Sequence, residues 1–248
     1  MSASAGAGAG ESKRVLVLDV ECGVSAEAVA LLPNGDAAGI DRRFLQELTA
    51  VAMLSFVVAD DGLSCIELSG SLVEGDEREA LLRIDAALRG LGAGGVLVTH
   101  NGVAHDLPLC LRRCLANWMF GCQAVREWVD ADPHRHVDTL LRCGGGRGRA
   151  AGPALTDLCA ALGIEAAVPA RSSSRPVDAR IRKGAVDVVR TALVYLHLEA
   201  MARGDGTWLA TCWGDLAAHL LSGPVRADHL LPLARQGLRV AEAAGARA

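Results

Sequence analysis

Aromatic residues are scarce in this chain: one Tyr, three Phe and four Trp among 248 residues. That leaves little material for stacking bases along a nucleic-acid strand, and Trp118, Trp128, Trp208 and Trp213 are expected in the core. No apolar run approaches the ~20 residues that a membrane-spanning helix needs. The N-terminus also lacks a basic-then-apolar leader pattern. A cytoplasmic protein without membrane contact is therefore expected. An excess of positive charge is missing too: 25 Lys and Arg against 29 Asp and Glu give a net charge of −4. Attraction to nucleic acid would have to be local. The eight cysteines contain no Cys-x-x-Cys pair and have no nearby His pair. Cys110 and Cys114, one helical turn apart, could join Cys122 and Cys143 around zinc, but small buried hydrophobes are the expected role. No internal repeat is visible.

What is present is a foldable core, with 51% hydrophobic residues and enough length for one domain with trimmings. Residues 1–12, rich in Ser, Ala and Gly, read as a disordered tail. Strands are expected at 14–22, 51–59 and 64–68, the last two joined by the turn Asp60-Asp61-Gly62. Further strands are expected at 96–100 and 136–140. Helices are expected at 41–48, 77–91, 106–119 and 154–162, with the longest at 178–203 and two weaker ones after Gly206 and Pro224. Pro33-Asn34-Gly35-Asp36 is a turn signal. Three hairpin-joined strands followed by alternating helices and strands predict a mixed α/β sheet with helices on both faces. The expected division is a domain over 13–203 and a helical extension over 204–248, packed on or beside it.

Three stretches carry the chemistry. The first strand ends in Asp19 and Glu21, which leave the same face roughly 6–7 Å apart. Carboxylates that close repel each other, and a hard cation such as Mg²⁺ or Mn²⁺ between them relieves the repulsion. A strand that simply surfaces in acids is the plainer alternative. In the second stretch, the strand at 96–100 runs through His100, Asn101 and Gly102 to Asp106, which opens a helix. Asp106 serves there either as a first-turn acid or as a third carboxylate facing the first two. The third stretch holds Asp187 among Val186, Val189, Ala192, Leu193 and Leu196, where an acid needs a partner if buried. An exposed stripe with Arg190 is the alternative.

Asp-x-Glu ending an early strand, Asn-Gly-x-x-x-Asp opening a helix and a late helical Asp together resemble the DEDD superfamily of 3′–5′ exonucleases. In particular they are similar to stand-alone bacterial proteins related to the proofreading domain of family-B DNA polymerases. His136-Val137-Asp138-Thr139-Leu140 and the segments at 154–163 and 187–196 agree with it, so that the likeness covers about residues 14–203. The resemblance implies a ribonuclease-H-like fold and two divalent cations, Mg²⁺ or Mn²⁺, held by Asp19, Glu21, Asp106 and Asp187. It implies hydrolysis of single-stranded DNA or RNA from 3′ ends, with His100, Asn101 and Gly102 lining the terminal nucleotide.

One departure matters. The superfamily places a Tyr four residues, or a His five residues, before the last Asp to orient or deprotonate water. This chain has Lys183 and Arg182 there. Arginine stays protonated, and a lysine amid carboxylates is expected to hold its proton more tightly. Three outcomes are consistent with that: a metal-bound hydroxide alone suffices, His105 or a histidine near 134–136 reaches in, or cleavage is lost and binding kept. Arg182 and Lys183 also belong to a basic stretch with Arg142, Arg147, Arg149, Arg171, Arg175 and Arg180, suited to a phosphate backbone or simply to solubility. A silent nucleic-acid-binding module is thus the alternative to the exonuclease, and a small-nucleotide phosphohydrolase a third reading. DNA versus RNA and oligomeric state are not written in the sequence.

Overall fold

A computed structural model describes residues 12–32, 39–73, 76–144, 152–165, 176–222 and 228–246. The turn at Pro33–Asp36, most of the tail, and Arg147, Arg149, Arg171 and Arg175 of the basic stretch lie outside the described residues.

Strand β1 (Lys13–Val24) is the centre of a five-stranded mixed sheet in the order β3-β2-β1-β4-β5. It pairs antiparallel with β2 (Gln46–Ala59), which pairs antiparallel with β3 (Gly62–Leu72). On its other side β1 pairs parallel with β4 (Val96–Thr99), and β4 parallel with β5 (His136–Asp138). A central strand is covered on both faces, and alternate residues of β1 enter two different cores. Val15 and Val17 pack with α7 (Pro176–Arg203) and α8 (Gly206–Ser222). Leu16, Leu18 and Val20 pack with α2 (Glu77–Gly90), α3 (Asp106–Ala116) and α4 (Gln123–Val129). Each such side chain contributes about 1.5–3 kcal/mol on burial.

The structure departs from the expected elements in several places. A short helix, α1 (Ala26–Ala30), follows β1. The strand expected at 136–140 ends at Asp138, and α5 (Thr139–Cys143) begins there, capped by the Asp138 side chain. Helix α6 (Leu155–Ala161) lies within the expected 154–162. The segment at 41–48 is a 3-10 turn, Arg42–Leu45, capped by the Asp41 side chain, and β2 then starts at Gln46. Helix α3 stops at Ala116, where Trp118 adopts φ 58°, and α4 follows as a separate helix. That left-handed residue turns Trp118 outward, 78% exposed, whereas Trp128, Trp208 and Trp213 are buried as expected.

Helix α7 runs for 28 residues, ~42 Å at 1.5 Å per residue. It crosses the sheet where side chains are small, with Gly184 set against Ala52 and Ile181 against Gly70. Helices α8 and α9 (Leu231–Gly245) add Trp208, Trp213, Leu216, Leu233 and Ala234 to the same core. Helix α8 also straps the β2–β3 hairpin. Trp208 Nε1 donates to Ala59 O at 2.8 Å, and Asp215 Oδ2 accepts from Leu63 N at 2.8 Å. Gly62 makes that strap possible, because its φ is +133° and a Cβ there would meet Asp215 Oδ2 at 2.4 Å. Gly62→Ala is therefore expected to cost about 2 kcal/mol, through backbone strain and the displaced carboxylate. Urea denaturation followed by circular dichroism checks this, and a variant as stable as the parent would contradict it.

Candidate metal centre

Asp19 and Glu21 continue the face of β1 that Val15 and Val17 present to α7. Their neighbours on β2 are Ala52 and Ala50, small residues that leave space above them. Helix α7 closes in over that space at Gly184. A Cβ on Gly184 would stand 3.0 Å from the Ala52 Cβ and 3.5 Å from Asp19 Oδ2. The close approach brings Asp187, three residues further along the helix, over the strand end. One oxygen each from Asp19, Glu21 and Asp187 then lie within 4.8 Å of one another. Among the described residues this is the group with metal-holding spacing, and it contains no cysteine. Cys110, Cys114 and Cys122 are buried, and burial with the nearby Cys122 pushes the Cys114 thiol up to about 12.

Asp106, the first residue of α3, stands outside that set of three but acts on it electrostatically. It is 5% exposed. Its Oδ1 is 2.9 Å from His105 Nδ1, and its buried Oδ2 has no hydrogen-bond partner. Burial raises the Asp106 pKa, and the His105 contact opposes the rise. Asp19 Oδ2 is likewise buried without a partner. Burial holds the Asp19 pKa well above the usual carboxylate range, and the charges of Asp106, Asp187 and Glu21 add to the effect. Buried, unpartnered and mutually repelling carboxylate oxygens are what a hard divalent cation relieves. The donor set of Asp19, Glu21 and Asp187 is all oxygen and could bind a metal ion.

Lys183 lies on the same face of α7 one turn before Asp187. Its ammonium donates to Glu21 Oε1 and, at 2.9 Å, to Asp187 Oδ2. Burial works against that charge, but the bonds to Glu21 and Asp187 outweigh it and keep the pKa above the ordinary lysine value. Lys183 is thus a bound cation and no base, as expected from its neighbours. Burial and then the charge of the adjacent Arg182 lower the pKa of His229.

The loop after β4 carries His100, Asn101 and Gly102. His100 Nδ1 is 2.9 Å from Thr139 Oγ1, and burial lowers its pKa. Asn101 is left-handed, at φ 71°. Gly102 sits so close to Thr99 that a Cβ would fall 2.3 Å from its Oγ1. Of the histidines expected to reach the acids, His105 does, and its Nε2 also lies 3.7 Å from Cys22 Sγ at the end of β1. His136 is buried in β5 on Thr99 Oγ1, and His134 is exposed in the preceding turn. Asp138 was not anticipated as a site residue. Its carboxylate accepts from the amides of Asn101 and Val103 and so fixes the loop leading to Asp106. The available signal was an Asp ending a strand in register with β4, whose loop it can reach.

No helix among the described residues is long and apolar enough to cross a membrane. No family model matches this chain, and no curated protein matches it. Among solved structures, the family B DNA polymerase from the hyperthermophilic archaeon Pyrobaculum calidifontis is similar at 12% identity, with a TM-score of 0.43. The likeness covers 92% of this chain and 29% of that one, so the chain spans under a third of the polymerase's length.

Proposed function

We propose that this chain is a metal-dependent 3′–5′ exonuclease acting on single-stranded DNA or RNA ends, built on a ribonuclease-H-like domain over 13–203 with a helical extension over 204–248. The observation that carries the reading is the convergence of Asp19, Glu21 and Asp187 oxygens within 4.8 Å, with Asp19 Oδ2 buried and unpartnered. Asp19, Glu21, Asp106 and Asp187 are the acids that would supply ligands to divalent metal, Mg²⁺ or Mn²⁺. Metal bound there would supply an activated water at the scissile phosphate and stabilise the leaving 3′ oxygen. The chain's own residues do the rest. Asp138 fixes the loop that brings His100, Asn101 and Gly102 toward the terminal nucleotide. His105 holds Asp106 and is the histidine nearest to proton traffic at the acids.

A second reading has its own support: the position expected for a base is a lysine engaged with two of the acids. That arrangement suits a module that binds ends without cutting them. One experiment separates the two. A 5′-labelled single-stranded oligonucleotide is incubated with Mn²⁺ and either the wild type, Asp19→Ala or Asp187→Ala. The exonuclease yields a ladder shortening from the 3′ end, which each substitution slows by about 100-fold or more. Binding that weakens with salt, with no ladder over hours, would establish the module instead.

A further inference from the structure

The acids of the centre outnumber what the protein itself neutralises, and the imbalance has a definite location. Glu21 and Asp187 already share a cation, the Lys183 ammonium. Asp19 Oδ2 and Asp106 Oδ2 share none, although both are buried. The cluster is therefore divided into two acids that share one ammonium, which offsets one of their two charges, and two whose buried oxygens it has left open.

We propose that Lys183 is a built-in cation of this centre, filling the place between Glu21 and Asp187, so that the centre takes one divalent ion, at the buried Asp19 oxygen, instead of two. The inference rests on the metal-centre reading above and deepens it. Charge supports it. Four carboxylates set against one ammonium and one divalent ion leave a residue of one negative charge, which the anionic site tolerates. A second divalent ion would turn the sum positive while sitting against an ammonium. It would also have to take Glu21 Oε1 and Asp187 Oδ2 away from Lys183, which holds both through charge-assisted hydrogen bonds.

The placement is specific to the packing as well. Lys183 is four residues before Asp187, so the two share a helix face, and an i, i+4 pair needs no help from elsewhere. Glu21 is 162 residues away in sequence. Its contact with Lys183 depends on α7 descending on β1 at Gly184, where the missing side chain lets the helix reach Ala52. A tethered ammonium differs from a free ion in one respect that matters for function: it cannot be chelated. One of the four negative charges of the acidic centre therefore stays offset in the absence of metal.

The test is equilibrium Mn²⁺ binding to the full chain, followed by the loss of the free-ion electron paramagnetic resonance signal and by calorimetry. It compares wild type, Lys183→Met, Lys183→Gln and Asp19→Ala, each first checked for folding by circular dichroism. The expected result is one ion per wild-type chain. Lys183→Met is expected to bind two, or to bind a second at least about tenfold more tightly than wild type does. Lys183→Gln keeps a neutral donor to both acids, so it guards against loss of the fold, and it too should gain the second ion. Asp19→Ala is expected to lose the first. A wild type that already binds two ions, or a folded neutral variant that gains none, overturns the inference and leaves the metal centre standing. No binding by any variant overturns the metal-centre reading and this inference with it.

Discussion

Asp138→Ala is expected to lower the stability of the protein by about 3–5 kcal/mol, the largest loss anticipated for a single polar side chain here. Asp138 is 3% exposed. Its Oδ1 accepts from the amides of Asn101 at 2.9 Å, Leu140 at 3.0 Å and Leu141 at 3.4 Å. Its Oδ2 accepts from Val103 at 3.0 Å. Alanine would leave four part-buried amides without their acceptor; a fully buried donor without one costs about 1–3 kcal/mol, and solvent offsets part of that here. The Leu140 and Leu141 amides belong to the first turn of α5 (Thr139–Cys143), so this carboxylate caps a helix as well as closing a loop. A fall in Tm of roughly 6–20 °C follows for a domain of this size. Asp138→Asn keeps one acceptor oxygen and turns an amino group toward an amide, so an intermediate loss of about 1–3 kcal/mol is expected. Urea titrations of the three proteins measure both losses. If Asp138→Ala stayed within ~0.5 kcal/mol of wild type, the carboxylate would be doing no more than a surface side chain does.

The same residue shows where sequence reasoning reaches its limit. The five strands were legible because composition and turns are local: an unbroken apolar run along 15–18, a two-residue turn at Asp60-Asp61, and a glycine-rich stretch ending α2. The acids at Asp19 and Glu21 were legible as a pair for the same reason, since i and i+2 share a face. What could not be read were distances between segments. Asp138 looks like a helix cap, which it is, but its bonds to Asn101 and Val103 cross from β5 to the loop after β4 and follow no period. Lys183 could be placed one turn from Asp187, yet its hold on Glu21 depends on how closely α7 packs at Gly184, a tertiary matter. The 41–48 segment misled because Leu45 and Leu48 are spaced as on a helix, whereas both are buried from a turn and the start of a strand. Trp118 misled because an aromatic ring carries no mark of the backbone angle that turns it out to solvent.

Asp19→Asn is expected to make the metal-free protein more stable near neutral pH and the metal-loaded protein less so. Burial, followed by the charges of Asp106, Asp187 and Glu21, holds the Asp19 pKa well above the usual range, with Lys183 opposing. Burial also raises the Asp106 pKa. Between the unfolded value, about 4, and those raised values, the folded chain keeps protons that the unfolded chain releases. Stability from this source is present below about pH 4 and is lost as pH rises through the folded values. In EDTA, the wild type should therefore weaken from pH 5 toward neutrality. Asn has the same shape and no charge to bury, so its curve should be flatter and lie about 1–3 kcal/mol above the wild type at pH 7. Adding Mn²⁺ at about 1,000 times its dissociation constant stabilises a one-ion protein by about 4.1 kcal/mol. The wild type gains that and the variant little of it, so the order of stabilities reverses. Urea midpoints at pH 5, 6, 7 and 8, in EDTA and in Mn²⁺, read the whole pattern. Wild-type stability rising with pH in EDTA would mean that Asp19 is already paired and needs no ion. The same curves without a reversal would mean that it is unpaired but holds no metal.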